Sequence, residues 1–164
     1  MPAKLIPTPY DATTYKIIGC AMGIHRELGP GLKENMYQRA LAAALSDGSL
    51  AYEAQKFYPV YAHLEQQQLI GYYIPDFVVE GAVIVEIKAL KAIDNNHLAQ
   101  IIAYLAVSCC QIGLLINFGE RSLRYRRVFP PQKVIDHLVN RRWLFVPDWL
   151  KKETSDIEND QLHP

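Results

Sequence analysis

The sequence predicts a mixed α/β fold, in which two helices come first and a strand-rich segment that contains one further helix follows. Three observations support this prediction. Apolar residues recur at helical spacing in the first part of the chain, and the composition shifts to Tyr, Val, Phe and Ile after Ser49. Helical spacing then returns at residues 94–108. The predicted order of elements is α-α-β-β-β-α-β-β.

The first two predicted helices meet at a tight corner. Apolar residues recur at helical spacing over residues 11–28, and Asp11 or Thr13 can cap the start of this helix. The triplet Gly29-Pro30-Gly31 interrupts the helical pattern, and a second amphipathic segment covers residues 33–47. We therefore expect two helices that are joined by a short turn.

Three consecutive strands are predicted after the second helix. They cover residues 56–64, 69–79 and 82–89, and short segments rich in polar residues or glycine separate them. Consecutive strands with short connections usually pair with their sequence neighbours. We therefore expect an antiparallel meander.

The last predicted elements are one helix and two strands. The helix covers residues 94–108, and Asp94 or Asn95 can cap it. A continuous apolar strand follows at residues 111–117, and an alternating strand covers residues 122–129.

The chain is predicted to divide into one domain, residues 11–130, and a C-terminal extension, residues 131–164. Pro130-Pro131 closes the domain. Residues 134–139 could form a short helix, and the last dozen residues are expected to fray. Four apolar residues of the extension could dock on the domain as a clasp: Trp143, Phe145, Trp149 and Leu150.

Composition and charge exclude several classes of protein. Half of the 164 residues are hydrophobic and 21% are charged, which excludes a wholly disordered chain. The longest apolar stretch, residues 101–110, is too short to cross a bilayer, and the first residues lack the apolar core of a signal peptide. We therefore expect a cytoplasmic protein. Basic and acidic residues balance at 17 each, so the net charge does not argue for nucleic-acid binding.

Charged residues inside two predicted strands indicate a functional site. The strand period of two places Glu86 and Lys88 on one face, about 6–7 Å apart along the strand. Asp76 is a lone charge among the apolar residues of the preceding strand. A two-residue turn would send Asp76 and Glu86 to opposite faces, whereas a three-residue loop, residues 80–82, pairs them directly. We therefore predict that loop, or a bulge, with Gly81 supplying the tolerant backbone.

The two carboxylates predict a divalent metal site. Adjacent carboxylates repel each other unless one is protonated or a cation lies between them. Mg²⁺ or Mn²⁺ is the natural cation, since no Cys or His is positioned with Asp76 and Glu86. Lys88 could orient or help deprotonate a water molecule, or stabilise phosphate charge, as phosphodiester hydrolysis requires. A structural ion pair of Glu86 with Lys88, or a solvated strand face, is the alternative interpretation.

The same residues resemble a known nuclease motif. Pro75-Asp76, followed after nine residues by Glu86-Ile87-Lys88 and then by a helix that carries Gln100, resembles the PD-(D/E)XK nuclease superfamily. Residues 25–37, which contain Gly31-Leu-Lys-Glu34-Asn-Met-Tyr37, are similar to the signature of the GxxExxY family, a bacterial and archaeal branch of this superfamily.

Two later segments, residues 99–105 and 113–119, also resemble the GxxExxY family, so the resemblance covers about residues 15–129. It implies a restriction-endonuclease-like core of α-β-β-β-α-β order, with an extra N-terminal helix and the C-terminal extension.

The resemblance also implies the roles of the site residues. Asp76 and Glu86 would bind the metal, and Lys88 would be the catalytic lysine. Gln100 would contact the site from the helix that follows, and Glu34 would be an additional carboxylate near the metal. His25 is expected to pack near the helix corner, whereas His97 shares a helix face with Gln100 and could reach the site.

We therefore expect a nuclease that depends on Mg²⁺ or Mn²⁺ and hydrolyses phosphodiester bonds by means of a metal-activated water. DNA is the favoured substrate by analogy with the family. Tyr37, Arg124 and Arg126 are candidate nucleic-acid contacts. Tyr37 could equally be a core aromatic residue, and the arginines could belong to a solvated edge strand.

Because the net charge is zero, we expect a compact patch, a homodimer or a protein partner to supply the remaining contacts with the substrate. The alternative function is a non-catalytic module that binds nucleic acid or protein and retains the nuclease fold.

Overall fold

The computed structural model describes residues 10–61 and 68–130, in which the elements follow the order α-α-β-β-β-β-β-α-β-β. The three helices are α1 (Asp11–Leu28), α2 (Glu34–Asp47) and α3 (Asn95–Ser108). The seven strands are β1 (Tyr52–Ala54), β2 (Tyr58–Tyr61), β3 (Leu69–Tyr73), β4 (Phe77–Val79), β5 (Val83–Lys88), β6 (Ile112–Asn117) and β7 (Arg124–Val128). The predicted short helix and apolar clasp of the C-terminal extension lie outside the described residues.

The first two helices form the predicted corner. The turn between α1 and α2 contains Gly29 and Gly31, whose positive φ angles of 65° and 110° disfavour any residue with a side chain. The predicted cap of α1 by Asp11 or Thr13 is wrong, because Tyr10 occupies the cap position and no side chain bonds there. Asp11 instead begins the helix and binds Arg127 of β7 at 3.1 Å.

A five-stranded mixed sheet in the order β1-β4-β5-β6-β7 forms the centre of the fold. β5 and β6 are parallel and are connected through α3, whereas the other neighbours are antiparallel. Helices α1 and α2 pack on one face of the sheet and α3 packs on the other, so two apolar cores form. Alternate residues of β5 divide between them, with Val85 in the first core and Ile84 in the second. The predicted α/β fold class is confirmed.

The predicted three-stranded meander is wrong. The segment predicted as one strand at residues 69–79 divides into β3 and β4, which belong to different sheets. β3 pairs with β2 in a separate two-stranded sheet, and β4 pairs with β1 and β5. Pro75 lies at the break, where its missing N–H cannot continue a strand ladder.

Helix α3 begins at the predicted cap. The Asp94 side chain accepts hydrogen bonds from the backbone N–H groups of Asn96 and His97, and the His97 ring accepts one from the Asp94 backbone. These reciprocal bonds form a capping box, which satisfies donors that the first helical turn leaves unpaired. No helix in the described part of the chain combines the length and the apolar character needed to span a bilayer.

Candidate active site

The β4–β5 hairpin brings Asp76 and Glu86 together. The predicted three-residue loop, residues 80–82, is confirmed by the strand register, and its residues Glu80 and Gly81 have φ angles of 52° and 63°. One residue beyond the regular ladder, the same register places Asp76 opposite Glu86. The Asp76 backbone N–H donates to Glu86 Oε2 at 3.4 Å.

Hydrogen bonds hold both carboxylate oxygens of Asp76. The backbone N–H of Ile87 donates to Oδ2 at 2.7 Å, and Gln38 Nε2 donates to Oδ1 at 2.7 Å. Gln38 lies on α2, four residues after Glu34, so the two side chains share a helix face. Gln38 is a site residue that we did not predict, although its spacing from Glu34 was a usable signal.

A buried ion pair stands next to Asp76. Lys88 Nζ donates to Glu86 Oε1 at 2.9 Å, while Glu86 is only 4% exposed and the Lys88 side chain only 13%. Burial of this kind excludes a solvated strand face. Because one ammonium faces two buried carboxylates, the ion pair leaves one negative charge uncompensated, which is costly in the protein interior.

Burial raises the pKa values of both carboxyl groups. The pKa of Asp76 rises to about 6, mainly through burial and further through the charge of Glu34, against the lowering effect of the Ile87 N–H. Burial and then the charge of Asp76 raise the pKa of Glu86 to about 7, although Lys88 opposes this shift. Burial lowers the pKa of Lys88, but its bond to Glu86 and the nearby carboxylates outweigh this effect and raise it overall. The site is therefore short of positive charge.

Glu34 lies half-buried in the first turn of α2, and its charge acts on both Asp76 and Lys88. Across residues 10–61 and 68–130, no three His, Cys, Asp or Glu side chains are close enough to form a ready metal-binding group. Glu34 therefore contributes to the site through its charge.

Gln100 lies on α3, where its side chain is hydrogen-bonded to Tyr104. Gln100 Nε2 donates to the Tyr104 hydroxyl at 2.9 Å, and the Tyr73 ring packs edge-on against Tyr104 at 5.4 Å. Burial and the charge of Glu86 raise the pKa of Tyr104. Tyr104 is therefore a second residue of the site environment that we did not predict.

Tyr37 lies in the core and is fully buried. Its ring stacks on Phe118 with a centroid distance of 4.5 Å, and its hydroxyl donates to the Gly29 carbonyl and accepts from the Leu32 N–H. These contacts correct the prediction that Tyr37 contacts nucleic acid, because no surface of the residue is exposed for that contact. Its hydroxyl instead holds the turn between α1 and α2.

The two histidines take structural positions. His25 lies near the helix corner, as expected, where its Nε2 is 2.9 Å from the Glu120 carbonyl oxygen. The His97 ring takes part in the α3 capping box, with Nδ1 2.9 Å from Asp94 Oδ1. Neither histidine contacts the carboxylate pair through these bonds.

β7 is an edge strand of the sheet. The registers of β5, β6 and β7 place Arg124 and Arg126 on the same sheet face as Glu86 and Lys88, two strands or about 10 Å away. Arg124 is largely exposed and lies 3.6 Å from Glu120. The pair is therefore on the side of the sheet that carries the site.

Comparisons with known proteins complete these observations. Matching solved structures include the crystal structure of SSO0001, which is 10% identical with a TM-score of 0.48 and aligns over 85% of this chain and 72% of that chain. They also include an alkaline exonuclease from Laribacter hongkongensis, which is 9% identical with a TM-score of 0.46 and aligns over 94% of this chain and 88% of that chain. A search of curated proteins found no match. A family model described as the PD-(D/E)XK nuclease superfamily matches residues 11–128, and the chain therefore belongs to that superfamily of nucleases.

Proposed function

We propose that this protein is a nuclease that uses a divalent metal ion, Mg²⁺ or Mn²⁺, to hydrolyse phosphodiester bonds in DNA. One observation carries the proposal: Asp76 and Glu86 face each other from adjacent strands, with the Lys88 ammonium bonded to Glu86. Membership of the superfamily supports the reaction class. The pairing of carboxylates with a lysine supports metal-assisted hydrolysis over binding alone.

The residues present fit a divalent ion. Carboxylate oxygens are the ligands that Mg²⁺ and Mn²⁺ prefer, and a dication would offset the uncompensated negative charge of the site. We assign Asp76 and Glu86 as the ligands and Glu34 as an additional carboxylate of the site. The bound ion would polarise the phosphate and lower the pKa of a water molecule.

Lys88 provides the fixed positive charge of the site. During hydrolysis a water molecule loses a proton to solvent as its oxygen forms a bond to phosphorus, the bond to the leaving oxygen breaks, and that oxygen takes up a proton from solvent. Negative charge grows on the phosphoryl and leaving oxygens in the transition state. The Lys88 ammonium can orient the water and stabilise that charge. The Asp76 carboxylate keeps its orientation through Gln38 and the Ile87 N–H. Gln100, held by Tyr104, supports the site from α3.

We also propose that the protein belongs to the GxxExxY branch of the superfamily. Three positions of the motif have distinct physical roles that support this assignment. Gly31 adopts a positive φ of 110°, Tyr37 holds the turn through its hydroxyl, and Glu34 begins α2 near the carboxylate pair.

The proposed partner is DNA, and we place the nuclease domain at residues 11–130 with residues 131–164 as an extension. Arg124 and Arg126 would contact phosphates on the site face of the sheet. Because the chain has no net charge, a homodimer or a protein partner would supply further contacts. A cytoplasmic location is part of the same proposal.

A cleavage assay tests the proposed function. Labelled DNA and RNA, single-stranded and duplex, are incubated with Mg²⁺, Mn²⁺ or EDTA and with wild type, Lys88→Ala or Lys91→Ala. Lys91 is an exposed lysine close in sequence and serves as the matched control. We expect metal-dependent DNA cleavage that falls by about 100-fold or more in Lys88→Ala and is unchanged in Lys91→Ala.

Three results would contradict the proposal. Cleavage that survives EDTA would exclude the metal, and equal rates in Lys88→Ala and wild type would exclude the lysine. Binding of nucleic acid without cleavage, with equal affinity in both variants, would identify a non-catalytic binding module. Circular dichroism checks that each variant is folded.

A further inference from the structure

A cleft on the α2 side of Asp76 is not used by the mechanism above. Its volume is about 290 Å³, which lies at the lower end of the range typical of small-molecule sites. It is lined by Asn35, Gln38, Arg39 and Ala42 of α2 and by Ala54 and Gln55 beside them. Asp76 and Phe77 border the same space, so the cleft opens next to a proposed metal ligand.

The lining of the cleft matches the chemistry of a nucleotide. The half-buried Ala42 and the exposed Ala54 provide an apolar surface on which a planar base can lie, and Phe77, which is only 2% exposed, borders the cleft. The side-chain amides of Asn35, Gln38 and Gln55 both donate and accept hydrogen bonds, as base edges require.

A charged group lies on the same helix as the amides. The exposed Arg39 guanidinium suits a phosphate oxygen, because its planar donors match phosphate geometry. A base surface, amide groups and one cation therefore meet in a cleft of single-nucleotide size.

Gln55, which lines the cleft, has a strained backbone conformation. Its φ of 51° lies in the left-handed region, which residues other than glycine rarely adopt. Its backbone N–H donates to the Asp76 carbonyl oxygen at 2.9 Å. Backbone strain of this kind concentrates at functional sites.

Gln38 connects the cleft to the carboxylate pair. Its side chain lines the cleft while its Nε2 bonds Asp76 Oδ1 at 2.7 Å. Glu86 and Lys88 lie on the other side of Asp76, toward β5. A base held in the cleft would therefore have its own phosphate beside Asp76.

We propose that this cleft binds one unpaired nucleobase of the substrate, next to the phosphate that is cleaved. The inference rests on the proposed nuclease function and specifies its substrate class: a strand that is single, frayed or flipped at the cleavage position. A base inside an intact duplex is stacked and paired, so it cannot enter the cleft without leaving the helix.

A filled cleft provides the test. Ala42→Leu places a larger side chain in the cleft and leaves Asp76, Glu86 and Lys88 intact. Ala43→Leu is the matched control, because Ala43 is the next residue of α2 and is exposed. Binding is measured by fluorescence anisotropy on the metal-free full chain, with a labelled thymidine 12-mer and the corresponding duplex.

We expect wild type to bind the single strand more tightly than the duplex, and Ala42→Leu to weaken single-strand binding about tenfold or more. Ala43→Leu should match wild type. Equal single-strand affinity in Ala42→Leu and wild type, or a wild-type preference for the duplex, would overturn the proposal.

A second measurement does not depend on a variant that folds. In nitrogen-15 NMR of the wild type, titration with a thymidine tetranucleotide should shift the side-chain amide signals of Asn35, Gln38 and Gln55. Unchanged amide signals at saturation would overturn the cleft proposal. The cleavage assay separates the two proposals. Amide shifts without cleavage would refute the nuclease and leave only nucleobase binding in the cleft, whereas cleavage without amide shifts would refute only the cleft.

Discussion

At the scale of single residues, the site is governed by an excess of buried negative charge. Asp76 and Glu86 face one ammonium, that of Lys88, and the charge of Glu34 adds to the excess. The metal-free protein therefore retains protons on these carboxyls at a pH where the unfolded chain has lost them. A cation must displace those protons, so metal affinity should rise with pH.

We expect Glu86→Gln to stabilise the metal-free protein increasingly as the pH rises. Folding raises the pKa of Glu86 to about 7. The contribution of the protonated Glu86 to the free energy of unfolding is therefore fully present below the ordinary carboxyl pKa and is lost as the pH rises through 7. The amide that replaces the carboxyl group in the variant has no charge to bury. In thermal melts with EDTA, the advantage of the variant should grow by several degrees between pH 5 and pH 8. An advantage that stays constant or shrinks would contradict this explanation.

Tyr37→Phe should reduce stability without affecting nucleic-acid binding. The variant keeps the ring on Phe118 but loses the hydroxyl bonds to the turn between α1 and α2. Urea unfolding should show a loss of about 1–2 kcal/mol. Tyr15→Phe, at a position that is 75% exposed, is the control and should change little. If the folded Tyr37→Phe variant bound DNA more weakly than wild type, the original prediction that Tyr37 contacts nucleic acid would be supported.

The sequence predicts the charged part of the site, but of its neutral residues it indicates only Gln100, through the family resemblance. Asp76, Glu86 and Lys88 are detectable because charge in an apolar strand is costly, and only one loop length lets the carboxylates meet. Gln38 and Tyr104 carry no charge, and the spacing of Gln38 from Glu34 becomes informative only once Glu34 is assigned to the site. A neutral amide or phenol on an amphipathic helix becomes part of a site only when tertiary structure brings its partner close.

At the scale of elements, helices were more predictable than strands. The bounds of α1, α2 and α3 follow from apolar periodicity and from the turn residues at their ends, which are local signals. β1 has three residues, too few for a periodic pattern. Residues 69–79 have a continuous β-forming composition, which predicts one strand. The division at Pro75 is predicted only if the missing backbone N–H of this proline is given more weight than that composition.

The close packing of α3 on β6 depends on Gly113. A Cβ added at this position would lie 2.3 Å from Ile101 Cγ2, inside the buried core. Gly113→Ala should therefore destabilise the protein by about 1–3 kcal/mol in urea unfolding. Gly23→Ala is the matched control, because no atom lies within 4 Å of the added Cβ in α1. The control should gain about 0.5–1 kcal/mol, and a similar gain in Gly113→Ala would show that α3 is packed more loosely.

At the scale of the whole molecule, the strand order places the carboxylate pair on the α3 face of the sheet, while Gln38 reaches Asp76 from α2. α1 and α2 cover one sheet face, whereas the α3 face also carries the carboxylate pair and the arginines of β7. The sequence could not reveal the order β1-β4-β5-β6-β7, because β1 and β4 pair across a long insertion that contains the β2–β3 sheet. Such pairings are decided by non-local packing.

Loss of the two site-face arginines should weaken DNA binding. We expect Arg124→Ala with Arg126→Ala to lower affinity and to reduce the salt dependence of binding by about one unit of slope for each lost phosphate contact. Lys16→Ala, on the exposed side of α1, is the control and should leave both quantities unchanged. Salt titrations monitored by anisotropy measure both. An unchanged slope in the arginine variant would place DNA elsewhere on the molecule.

The central claim is that Asp76 and Glu86 bind a divalent ion. Isothermal titration of Mn²⁺ into wild type, Asp76→Asn and Asp47→Asn at pH 7.5 tests it most directly, since Asp47 is exposed at the end of α2 and serves as the control. We expect saturable binding in wild type and Asp47→Asn, and its loss in Asp76→Asn. Binding that is absent from wild type, or equal in Asp76→Asn and wild type, would contradict the metal site.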